Sequence, residues 1–67
     1  MSDSPEKMSR SIRALELVEA VSAAGYPVTI PEIVTATGLP RATVHRLVSM
    51  LEREGFLQKD LSGRGYI

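Results

Sequence analysis

Arg41, Thr43, His45, Arg46 and Ser49 fall within nine residues, and no carboxylate interrupts the stretch from Gly38 to Leu51. Guanidinium groups at this density donate to phosphate oxygens or to the O6 and N7 edge of guanine, and hydroxyls serve either. Ala42, between Arg41 and Thr43, is small enough to keep such a face flat. Other chemistries lack their groups. The chain has one His and no Cys, which excludes thiolate metal sites, disulfides and cysteine nucleophiles. It has no Gly-rich phosphate loop, no Ser-His-Asp set, and no carboxylate pair with a pocket to support it. The expectation is a non-enzyme that holds no cofactor and no metal, with His45 serving as a phosphate or base contact rather than a ligand.

The total charge points the other way at first, because eight Lys and Arg balance eight Asp and Glu in 67 residues. A neutral chain is a poor match for a polyanion. The distribution removes the objection. Residues 1–37 hold five acids against three bases, and residues 38–67 hold five bases against three acids. The halves therefore carry −2 and +2, with the acids concentrated away from the basic stretch.

The elements that must carry these residues follow from periodicity and punctuation. Sixty-seven residues make one small domain whose core must be simple. Residues 1–8 read as a flexible polar tail, and residues 9–67 as the folded domain. Ser9 to Ala24 suits a helix, stopped by Gly25 with Pro27 just beyond. Its apolar residues Ile12, Ala14, Leu15, Leu17, Val18 and Val21 sweep more than half the circumference, wider than one core-facing stripe. Two readings stay open: a central helix touched on two sides within the domain, or one side meeting another subunit.

Val28-Thr29-Ile30 is long enough only for a β-bridge. Thr29 and Glu32 have capping-box spacing, with Pro31 tolerated in the first turn, so a second helix runs from about Ile30 to Thr37. Gly38 ends it in the left-handed conformation and Leu39-Pro40 forms the turn. A third helix spans about 41–54, with Val44, Leu47, Val48 and Leu51 as its apolar stripe and Gly55 as its stop. Phe56 to Lys59 then suggests a strand, Asp60 to Gly63 a turn, and Arg64 to Ile67 a returning strand that breaks off early. Phe56 is expected to pack beneath this hairpin, and Gly63 and Gly65 to serve its turn.

The predicted fold class is mainly α with a small β-hairpin: a winged helix-turn-helix of three helices plus a wing, the wing expected to be truncated at the C-terminus. In that fold the second helix of the motif lies in the DNA major groove. The candidate recognition residues are Arg41, Ala42, Thr43, His45, Arg46 and Ser49. Thr29, Lys59 and Arg64 are candidates for the DNA backbone or wing contact, Thr29 chiefly as a cap and Arg64 equally readable as a surface charge. The helix dipole adds an independent reason. Cations at an N-terminus and anions at a C-terminus each cost about 0.3–1 kcal/mol, yet Arg41 starts the third helix and Glu52 and Glu54 close it. A polyanion facing the first turns accounts for that order.

The segments Ser11-Ile12-Arg13-Ala14-Leu15-Glu16-Leu17-Val18-Glu19, Thr37-Gly38-Leu39-Pro40-Arg41-Ala42-Thr43-Val44-His45-Arg46-Leu47 and Leu51-Glu52-Arg53-Glu54-Gly55-Phe56-Leu57 together resemble the IclR family of bacterial transcriptional regulators. The resemblance covers roughly residues 9–64. It implies a cytoplasmic, nucleoid-associated DNA-binding domain of a homodimeric or tetrameric parent, acting on double-stranded DNA with a pseudo-palindromic operator. It also implies a small-molecule effector bound by a C-terminal domain outside this chain. Where the family usually runs Gly-Arg-Tyr in the wing, this chain has Gly65 between Arg64 and Tyr66.

Two other readings remain at this level. One is a winged-helix protein-protein interaction module without direct DNA readout, and the other a winged helix for RNA. No apolar run reaches the ~18 residues of a membrane span, so no membrane partner is expected.

Overall fold

A computed structural model describes residues 5–67, with side chains from Ser9 onward. Three helices follow in order: α1 over Pro5–Ala24, α2 over Ile30–Thr37 and α3 over Arg41–Arg53. The helix α1 begins at Pro5, four residues before the predicted start at Ser9. Proline fits a first helical turn, where its missing N–H would lack a partner anyway. The start of the predicted tail, residues 1–4, lies outside the described residues. Gly25, at φ 73°, ends α1 as expected.

Local rules set α2 at both ends. The Thr29 side chain accepts from the Glu32 amide, and the Glu32 carboxylate accepts from the Thr29 amide at 2.9 Å, so the capping box is complete. Gly38 closes the other end at φ 72°, its N–H donating to Val34 O at 2.8 Å. The helix α3 ends at Arg53, with Glu54 as its C-cap.

Each helix touches the other two. Leu17 and Val21 of α1, Ile33 of α2, and Val44, Leu47, Val48 and Leu51 of α3 meet with Val28 and Leu57 in one core. The wide apolar arc of α1 divides accordingly. Leu17 and Val21 are buried and Ala14 and Val18 half-buried, while Ile12 and Leu15 remain 51% and 59% exposed.

The predicted two-stranded hairpin is not formed as strands. Among the described residues only isolated antiparallel bridges occur, Lys59 with Tyr66 and Val28 with Tyr66. Gln58 and Ile67 exchange backbone hydrogen bonds at 2.9 Å each way, and Asp60 N–H donates to Gly65 O at 2.8 Å. The return segment shares its hydrogen bonds between two partners instead of extending this pairing into a ladder. It is anchored on its other side, where Val28 and Tyr66 exchange bonds of 2.9 and 2.8 Å. Tyr66 thus sits between the α1–α2 connection and the Lys59 segment.

Phe56 departs from expectation. It is 67% exposed, and Leu57, at 4%, takes the inward place. Gly55 turns the chain at φ 86°, after which the Phe56 and Leu57 amides both donate to Leu51 O. Gly65 departs as well: its φ is not positive, and it is a contact glycine rather than a turn glycine. A Cβ there would lie 2.9 Å from the Pro27 carbonyl carbon and Cβ.

Candidate nucleic-acid interface

The helix α3 presents two faces of opposite character. Val44, Leu47, Val48 and Leu51 point into the core, which leaves the 100° steps of the helix to carry Ala42, His45, Arg46, Ser49 and Arg53 outward. Arg41, Ala42, His45, Arg46 and Ser49 are all exposed, and Thr43 is half-buried on the flank. The structure therefore brings the six predicted recognition residues onto one continuous side of one helix. Among the described residues no ion pair engages Arg41, His45 or Arg46.

The start of α3 has an open geometry. Pro40 is its N-cap, makes no side-chain capping bond, and is followed by a first turn without an acid. Val44 N–H returns to Pro40 O at 3.0 Å, whereas the amides before it have no partner within the helix. Cationic side chains and unfilled amides thus share one end of one helix. That combination binds anions.

The other three predicted contacts are placed differently. Thr29 is engaged in the α2 cap, and its hydroxyl donates to Glu32 Oε1 at 3.1 Å. Lys59 is exposed, with Nζ 5.8 Å from the centre of the Tyr66 ring. Arg64 is exposed beyond a tightly tied turn. In that turn Gly63 N–H donates to Asp60 O at 2.8 Å, Ser62 N–H to Asp60 Oδ2 at 3.0 Å, and Arg64 N–H to Ser62 Oγ at 3.3 Å. The hydrogen bond from the Ser62 side chain, then that from the Ser62 amide, hold the Asp60 carboxyl below its usual value.

Two exposed apolar groups escaped sequence reasoning. Leu61 is fully exposed in the Asp60–Gly63 turn, and nothing local in the sequence distinguishes it from a turn residue. Phe56 borders a shallow apolar groove with Ala14, Leu15, Val18 and Leu51. The left-handed Gly55 was its only signal.

Among the described residues no helix is long and apolar enough to cross a membrane. The protein-family model for the IclR helix-turn-helix domain matches residues 12–61. The HTH-type transcriptional regulator KipR of Bacillus subtilis is 54% identical over 35 residues, covering 52% of this chain and 14% of its own length. The probable transcriptional regulator SauR of Cupriavidus necator is 36% identical over 56 residues, 84% of this chain and 22% of its own length. A LexA repressor from Pediococcus pentosaceus is 41% identical over 54 residues, 78% of this chain and 26% of its own length. The chain thus spans about a quarter or less of these curated relatives. No solved structure gives a significant match.

Proposed function

The chain belongs to the IclR helix-turn-helix family, and from that membership we propose that it binds double-stranded DNA sequence-specifically as part of a bacterial transcriptional regulator. The observation that carries this reading is the acid-free outer face of α3 from Arg41 to Met50, before Glu52, with Arg41 and Arg46 exposed beside an uncapped helix start. In this reading α3 enters the major groove. Arg41, Ala42, Thr43, His45, Arg46 and Ser49 lie against base edges and flanking phosphates.

The Lys59–Tyr66 segment acts as a short wing, with Arg64 and Lys59 toward the sugar-phosphate backbone. Thr29 is the weakest of the backbone contacts, because its one hydroxyl proton already goes to Glu32. Two copies would read half-sites about 34–36 Å apart on a pseudo-palindrome. The apolar side chains of Ile12, Leu15 and Phe56, exposed on and beside α1, support such pairing.

Selection of bound sites from random duplex DNA, followed by anisotropy titration of the winning duplex, tests the proposal. If about four cationic side chains per copy meet phosphate, log affinity falls with log salt at a slope of about −3 to −4 per subunit. A flat salt response, or no enriched sequence, removes the DNA reading in favour of a protein-interaction role.

A further inference from the structure

The link between α2 and α3 depends on very few groups. Gly38 N–H is taken by Val34 O, and Pro40 has no N–H, so Leu39 supplies the one remaining amide before α3 begins. That amide donates to Thr37 Oγ1 at 3.2 Å, while the same hydroxyl donates to Ile33 O at 2.8 Å. A hydroxyl has one proton and two lone pairs, so it can hold both bonds at once. It joins a carbonyl of the last turn of α2 to the backbone beyond Gly38, where Leu39 packs its side chain against the core. Among the described residues no other side chain hydrogen-bonds the backbone of this turn.

Thr35, two residues earlier, shows the contrast. Its hydroxyl also donates back along the helix, to Pro31 O at 3.1 Å, but it accepts no bond from the turn.

We propose that Thr37 is a positioning residue: its hydroxyl fixes the α2–α3 turn and thereby the pose of α3, so that it governs selectivity for DNA sequence without itself reading a base. This deepens the DNA-binding reading and rests on it. A recognition face fails to match base edges if it is displaced by a fraction of an ångström, while phosphate attraction tolerates such shifts. Loss of the hydroxyl therefore lowers preference for the correct sequence more than it lowers general affinity.

The test compares Thr37→Val, Thr37→Ser and Thr35→Val in the whole chain, each titrated with the duplex selected from random DNA and with an unrelated duplex. Thr37→Val should lose about tenfold in the affinity ratio of the two duplexes, the scale of one or two hydrogen bonds. Thr37→Ser and Thr35→Val should both stay within about twofold of the unsubstituted chain. An unchanged ratio in Thr37→Val overturns the proposal. So does an equal loss in all three variants, which would mark general destabilisation. Residual dipolar couplings of the α2 and α3 amides give a readout without DNA: Thr37→Val should reorient α3 against α2, and Thr37→Ser should not. If the unsubstituted chain prefers no duplex, the DNA reading falls. The positioning role is then decided by the couplings alone, and an unmoved α3 overturns it.

Discussion

The two helices of the motif begin in opposite ways. At the start of α2 the Thr29 side chain and the Glu32 carboxylate satisfy each other's backbone amides, and the acid suits the positive end of the helix dipole. At the start of α3 a proline stands where a capping side chain would help, no acid follows, and Arg41 opposes the dipole. Both helices pack into the same core, so burial does not explain the difference. A helix start that stability alone would fill has been left open where the cations converge, which fits an external anion in the place of a cap.

The asymmetry makes three predictions, and the Asp60 turn adds a fourth. The largest effect should come from charge reversal on the open helix: Arg46→Glu should lower affinity for the selected duplex by about 100-fold or more, since a lost base contact and a new repulsion add. Thermal unfolding of that variant should be unchanged, because Arg46 faces away from the core. A fall in melting temperature alongside lost binding would mean that α3 has been misassigned.

A second substitution moves the two properties in opposite directions. Pro40→Asp supplies the missing cap, which should stabilise the fold by up to about 1 kcal/mol in denaturant titration. The added carboxylate meets phosphate at the same place, so duplex affinity should fall by about tenfold. Third, Thr29→Ala removes the cap of α2 and should cost about 1 kcal/mol of stability, with affinity for folded protein changing less than about threefold. A larger drop in affinity would restore Thr29 as a phosphate contact.

The smallest effect concerns Asp60. Its folded pKa is lowered, so its contribution is fully present above the ordinary carboxylate pKa and is lost as pH falls through the lowered value. Asp60→Asn should therefore narrow the stability difference between pH 6 and pH 2, measured by thermal unfolding, by a small amount because the group is exposed to solvent.

The sequence displayed those parts that depend on neighbours a few residues away. The capping box of Thr29 and Glu32, the left-handed Gly38, and the stripe of Val44, Leu47 and Leu51 all follow local rules, and the outer face of α3 is simply their complement. Where tertiary contact decides, the letters were insufficient. Phe56 and Leu57 are both apolar, and only the direction in which Gly55 releases the chain selects Leu57 for the core. Gly65 looks like a second turn glycine until Pro27, distant in sequence, is found against it. The expected hairpin is not formed as strands, because its return segment divides its hydrogen bonds between Lys59's segment and Val28, a partner that no local pattern announces. Pro5 and Glu6 are ordinary helix-start residues that a polar, Ser-containing context disguised as tail.

The Val28–Tyr66 bridge also bears on the order in which this chain folds. It closes a loop that contains all of α2 and α3, and the entropic cost of closing a loop rises with its length. Helix α2, with its ends secured locally, is a natural early element, whereas the bridge must wait until the intervening chain has compacted. The same ordering in reverse makes the Tyr66 segment an early site of opening. Proteolysis under native conditions should consequently cut first in the Lys59–Ile67 region, leaving a three-helix remnant whose outer α3 face survives without that segment.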